Sequence, residues 1–131
     1  MNTLIVEDEP ISRLLLQEYL KSYGPCHMAV NGKDAVESVR AALEANKPYD
    51  LVCLDIMMPE MDGQDTLREI RRLETVAGDA APNRITIVMT TALSDQESVM
   101  DAIRGECDCF LAKPIHKAKL LQELRKLGLI D

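Results

Sequence analysis

Four short apolar runs of this 131-residue chain end in residues that can do chemistry. Leu4-Ile5-Val6 leads into Glu7-Asp8-Glu9, and Leu51-Val52-Cys53-Leu54 leads into Asp55. Ile85 to Met89 leads into Thr90-Thr91, and Cys109 to Ala112 into Lys113-Pro114. Brought close together, the carboxylates of Glu7, Asp8 and Asp55 would repel one another unless a cation sat among them. Oxygen donors with no thiol or imidazole beside them suit a hard divalent ion. Mg²⁺ is the natural choice, because it keeps waters and phosphate oxygens in its shell. An Asp carboxylate beside Mg²⁺ can attack phosphorus as a nucleophile and form an aspartyl phosphate. The oxygens of the transferred group then need a positive charge and a hydrogen-bond donor, and Lys113 and Thr91 are of the right types.

These residues meet only if the elements carrying them place their ends at one edge. The four runs, with His27-Met28-Ala29-Val30, are short and read as buried strands. Amphipathic stretches separate them. Ile11, Leu14, Leu15, Tyr19 and Leu20 make a first stripe, and Ala35, Val36, Val39 and Leu43 a second. Leu67, Ile70 and Leu73 make a third, Val99, Met100 and Ile103 a fourth, and Leu120, Leu121, Leu124 and Leu127 a fifth. Pro10 suits a first helical turn, Gly24-Pro25 closes the first helix, and Ser94-x-x-Glu97 is a capping box. Glu74 to Asn83, with its glycine, proline and alanines, reads as an exposed loop. Five β-α alternations imply an α/β fold: a doubly wound parallel sheet of five strands with helices on both faces. Ligands of such sheets bind at the carboxyl ends of the strands, where the four sets of polar residues fall.

The set as a whole resembles the receiver domain of two-component response regulators, the family of the bacterial chemotaxis regulator. The resemblance rests on Leu4-Ile5-Val6-Glu7-Asp8-Glu9, on Leu54-Asp55-Ile56-Met57-Met58-Pro59-Glu60-Met61-Asp62-Gly63, on Met89-Thr90-Thr91-Ala92 and on Phe110-Leu111-Ala112-Lys113-Pro114. It spans about residues 2 to 128. It implies a flavodoxin-like strand order, 2-1-3-4-5. It implies that Asp55 is the phosphoacceptor. Asp8, Asp55 and the backbone carbonyl of Met57 would bind Mg²⁺, with Glu7 acting through water. Lys113 would pair with the phosphoryl group, Thr91 would hydrogen-bond it, and Phe110 would be the aromatic that changes rotamer with Thr91. The Lys113–Pro114 bond would be cis. Met57 and Leu93 would border the water that removes the phosphoryl group and so tune its lifetime. The partners implied are a sensor histidine kinase or phosphotransfer protein upstream. Downstream, a target protein would read the surface of the fourth helix, fifth strand and fifth helix.

Some residues depart from the family pattern. Glu106-Cys107 stands where Gly-Ala is usual, Thr90 competes with Thr91 for the hydroxyl role, and Phe110 replaces the commoner Tyr. Glu9 reads as a charge favoured at a helix N-terminus.

Composition narrows the alternatives. With 22 Asp+Glu against 15 Lys+Arg the net charge is -7, which disfavours binding to nucleic acid or an anionic membrane. No run approaches the length of a membrane span, and the N-terminus lacks the pattern of a signal peptide. Cys26, Cys53, Cys107 and Cys109 form no C-x-x-C pair and read as reduced thiols of a cytoplasmic protein. The expectation is a single stand-alone receiver over 1–131 that catalyses only its own phosphorylation and dephosphorylation. A phosphatase or phosphotransferase of the haloacid dehalogenase type would need an acid where Met57 stands. A nucleotide or flavin domain would need glycine rather than acids after the first strand. A receiver-like scaffold that is never phosphorylated is the remaining alternative.

Overall fold

Five runs of aliphatic residues pair in parallel to form one sheet of order β2-β1-β3-β4-β5. The strands are β1 (Thr3–Val6), β2 (Cys26–Ala29), β3 (Leu51–Asp55), β4 (Thr86–Thr91) and β5 (Cys109–Ala112). The helices are α1 (Pro10–Leu20), α2 (Gly32–Glu44), α3 (Gly63–Ala77) and a C-terminal helix, Lys117–Lys126. The structure is a computed structural model that describes residues 1–56, 61–78, 84–91 and 106–131. The expected fourth helix and its capping box lie outside the described residues.

Alternation along the strands builds two cores, one on each face, as a parallel sheet requires. Leu4, Val6, Val52, Leu54, Ile87 and Met89 pack under α2 and α3, against Val39, Leu67 and Ile70. Ile5, Leu51, Cys53, Val88 and Leu111 pack under α1 and the C-terminal helix, against Leu16, Leu20, Leu120 and Leu124.

The stripes of α2 and α3 are buried as expected, but that of α1 is not. Leu16 and Leu20 face the sheet, while Ile11, Leu14 and Leu15 are 68%, 58% and 46% exposed. This helix is apolar around much of its circumference, so periodicity could not select the buried arc. Leu127 also emerges, beyond the end of the C-terminal helix.

Several boundaries shift with the pairing. β2 begins at Cys26, opposite Thr3, and ends at Ala29, which leaves Val30 outside and exposed. β4 continues through Thr90 and Thr91, so these residues belong to the strand rather than follow it. Glu74 to Ala77 form the last turn of α3, not a loop, and Gly78 ends the helix at φ 55°, a conformation that favours glycine. A short 3-10 turn, Lys21–Tyr23, separates α1 from Gly24. There φ is 143°, and a side chain would collide with the Met1 carbonyl.

Caps set where each helix starts. The Glu9 carboxylate accepts from the N–H groups of Ile11 and Ser12, with Pro10 in the first turn. Asn31 caps α2 through Asp34 N–H, and Asp62 caps α3 through Asp65 N–H. Gly63 opens α3 against the end of β3. A Cβ there would sit 2.5 Å from the Asp55 carbonyl, so only glycine lets the helix start so near Asp55.

The far edge of the sheet is tied by Arg71 of α3. Its guanidinium donates to the carbonyls of Glu106 (2.8 Å) and Ile85 (2.7 Å) and pairs with Glu74 and Asp108. The turn whose Glu106-Cys107 departs from the family pattern is thus held by an arginine on its carbonyl.

Candidate functional site

Parallel pairing in register brings the ends of β1, β3, β4 and β5 to one rim. Val6 lies opposite Leu54, Asp55 opposite Thr90, and Thr91 opposite Ala112. Glu7, Asp8 and Asp55 each offer an oxygen there, and these oxygens lie within 4.8 Å of one another. Glu7 and Asp55 are buried, at 1% and 4% exposure, while Asp8 is exposed.

Lys113 reaches over this cluster. Its Nζ is 2.8 Å from Glu7 Oε1 and 3.2 Å from Asp55 Oδ2. Burial works against the Lys113 ammonium, but the two carboxylates outweigh it and its pKa is raised. Burial also pushes the Glu7 carboxyl upward, and Asp55 adds to that, against the opposing pull of Lys113. Glu9 is held below the usual range by the N–H groups of Ser12 and Ile11, which fits a helix cap and not a metal ligand.

The three oxygens suit one hard cation. Ligands on opposite sides of an octahedral Mg²⁺ are about 4.2 Å apart, since each bond is about 2.1 Å. Glu7 faces Lys113 as an ion pair through Oε1, and its Oε2 accepts from the Glu9 N–H at 3.2 Å. All three acids are placed to hold an ion, directly or through water.

Thr90 and Thr91 are both buried at the rim. Thr90 is in register with Asp55, and its carbonyl accepts from Ile56 N–H. The Thr91 carbonyl accepts from the Lys113 N–H at 2.7 Å, which ties Thr91 to the lysine. The Lys113–Pro114 bond is cis. Phe110, opposite Met89 on β5, is partly buried against the α2 and α3 core. Met57 and Leu93 lie outside the described residues.

Two features of the site were not foreseen. Glu7 is the ion-pair partner of Lys113, where the resemblance implied a role at the metal mainly through water. Arg13, one turn into α1, places Nη1 3.0 Å from the Glu7 carbonyl and 3.5 Å from that of Asp8. An arginine shortly after an acidic run was the available signal.

Comparison with known proteins shows the family. The model of the response regulator receiver domain matches residues 3–125, and the chain belongs to that family. It is 32% identical over 127 residues to the chemotaxis protein CheY of Thermotoga maritima, covering 95% of each chain. Among solved structures it is similar to the receiver domain of a sensor histidine kinase from Pseudomonas aeruginosa, which has magnesium coordinated in its active-site cleft. The TM-score is 0.75 at 28% identity, covering 97% of both chains. It is also similar to a chain of the CheX–CheY complex of Borrelia burgdorferi with beryllium fluoride and magnesium. There the TM-score is 0.81 at 28% identity, covering 98% of this chain and 89% of that one. The protein is a receiver domain of two-component signalling, a class whose general function is phosphorylation on an aspartate. No helix among the described residues is long and apolar enough to cross a membrane.

Proposed function

We propose that Asp55 accepts a phosphoryl group from a histidine kinase or a phosphotransfer protein, and that Mg²⁺ held by Asp8 and Asp55 supports the reaction. The observation that carries this reading is the placement of Asp55, 3.2 Å from Lys113 Nζ and grouped with Asp8 and Glu7. A carboxylate oxygen of Asp55 forms the new bond to phosphorus as the bond to the donor's histidine nitrogen breaks, and the imidazole keeps the electron pair. Mg²⁺ would neutralise charge on the phosphoryl oxygens. Lys113 supplies a fixed positive charge to the same oxygens, and a hydroxyl at the end of β4 supplies a donor, for which Thr91 is the reading. The metal contact that the resemblance gives to the Met57 carbonyl belongs to the same proposal.

A protein donor has to bring its phosphohistidine to this rim, so it must cover what borders it. The exposed Ile11, Leu14 and Leu15 of α1 and the exposed Pro114 form an apolar border suited to that contact. On the output side, Thr91 and Phe110 connect the site to β5 and the C-terminal helix, and the phosphorylated form is read by a protein there. Amide exchange with and without beryllofluoride should then differ between about Thr91 and Lys117. The chemistry is confined to the protein's own aspartate.

The test is incubation with acetyl phosphate with and without Mg²⁺, followed by intact mass. One phosphoryl group should appear only with Mg²⁺ and should be released by hydroxylamine, as an acyl phosphate is. No adduct, or an adduct stable to hydroxylamine, contradicts the reading.

A further inference from the structure

We propose that Arg13 is a positioning residue for the acidic cluster: by binding the backbone behind Glu7 and Asp8 it aims the Asp8 carboxylate at the metal position. The inference rests on the proposed Mg²⁺ site. The turn from β1 into α1 is fastened in several ways, and they are unequally shared. Glu7 is held by its N–H on the Ala29 carbonyl, by Lys113 on Oε1 and by the Glu9 N–H on Oε2. Glu9 is held by the two helix N–H groups that its carboxylate caps. Asp8 lies between them with an exposed side chain. The contact that reaches its carbonyl comes from Arg13 Nη1, at 3.5 Å, in company with the shorter 3.0 Å bond to the Glu7 carbonyl.

A peptide between two fixed neighbours can still rotate, and that rotation swings the Asp8 Cα–Cβ bond toward or away from Asp55. Both carbonyls accept from the guanidinium, and the carboxylate oxygens of Glu7, Asp8 and Asp55 lie within 4.8 Å of one another. Arginine suits this task because one Nη1 nitrogen, with its N–H groups held in the plane of a permanently charged guanidinium, reaches both carbonyls. The half-buried stem of Arg13 on α1 sets the position of the guanidinium, and Arg13 N–H bonds the Glu9 carbonyl at 3.0 Å, so helix and turn move as one.

Charge and position make opposite demands here, and that separates them. Arg13 is a cation beside a cation site. If charge alone mattered, removing it would tighten Mg²⁺ binding. If it positions Asp8, removing it weakens binding, as losing a partner behind a metal ligand typically does by 10-fold or more. A residue that merely stabilises the helix would change thermal stability and leave the affinity alone.

The experiment is titration of the metal alone, as Mg²⁺ chloride, followed through the thermal midpoint of wild type, Arg13→Met and Arg13→Lys. Methionine keeps an apolar stem and removes both charge and donors. Lysine keeps the charge and loses the fixed, planar orientation of the donors. The proposal expects Kd about 10-fold weaker in Arg13→Met and about 3-fold weaker in Arg13→Lys. Should Arg13→Met fail to fold, Arg13→Lys decides, because a charge role predicts a wild-type Kd for it. Tighter or unchanged binding in Arg13→Met, or a wild-type Kd in Arg13→Lys, overturns the positioning role. A wild-type midpoint that does not respond to Mg²⁺ overturns the metal reading and this inference with it, a result distinct from a response that Arg13 does not alter.

Discussion

Glu7 Oε1 lies 2.8 Å from Lys113 Nζ, so residues following β1 and β5 join across the ends of the two strands between them. The pair spares Glu7 the cost of a lone buried charge and aims the lysine at Asp55. Residues this close couple by about 0.5–3 kcal/mol in mutant cycles. We expect about 1–2 kcal/mol between Glu7→Gln and Lys113→Met, since Lys113 keeps some solvent contact. Urea unfolding of the two single variants and the double, without Mg²⁺, measures it. Additive effects would mean that the contact contributes nothing to the fold.

Cys53 makes stability sensitive to alkali. Burial, assisted by the nearby Cys26 and Cys109, pushes its thiol up to about 12 from an ordinary value of 9.0. The folded state therefore holds this proton where the unfolded chain has lost it, so stability falls as pH rises above 9. A displacement of one pH unit is worth about 1.4 kcal/mol per group. Between pH 8 and 10, Cys53→Ala should lose about 1 kcal/mol less than wild type, read from denaturant midpoints at each pH. Any constant cost of the smaller side chain cancels in the slope. Parallel slopes would show that Cys53 ionises in both states alike.

The two faces of α1 should respond differently to truncation. Leu16→Ala removes a side chain buried under the sheet and should cost about 3 kcal/mol. Leu14→Ala removes one that is mostly in water and should cost less than about 0.5 kcal/mol. If Leu14 borders the donor's docking surface, its truncation slows transfer from a phosphotransfer protein but not from acetyl phosphate. Equal destabilisation by the two changes would return the buried face to Ile11, Leu14 and Leu15.

Most of the site was legible because it depends on strand ends. A parallel sheet forces residues that follow consecutive apolar runs to one edge, so Asp8, Asp55, Thr91 and Lys113 could be placed together from the sequence. The burial of α2 followed from a clean stripe, Ala35 to Leu43. What could not be read depended on contacts between residues distant in sequence. Arg71 and Asp108 are distant along the chain and meet only through the fold. Nothing in the composition of α1 distinguishes Leu16 from Leu15 until the sheet is present. Glu7 could be assigned to the acidic group from its type, but its bond to Lys113 depended on which carboxylate lay deeper.

We propose that Met57 and Leu93, two apolar residues that the family resemblance sets beside the attacking water, tune the lifetime of the phosphorylated form. Neither can hold that water, so we expect slow loss of phosphate. Met57→Asn with Leu93→Glu should speed it by about 10-fold, equivalent to about 1.4 kcal/mol of barrier. Decay of phosphorylated protein after removal of the donor, in Mg²⁺, gives both rates. Equal rates would show that these side chains do not gate the water.

Everything above depends on Asp55 carrying the phosphoryl group. The most direct measurement is intact mass after acetyl phosphate and Mg²⁺, for wild type and Asp55→Asn, with borohydride reduction to mark the modified residue. We expect one phosphoryl group on wild type, conversion of Asp55 alone to homoserine on reduction, and no adduct on the variant. An adduct of the same size and amount on Asp55→Asn, or homoserine at another aspartate in wild type, would contradict it.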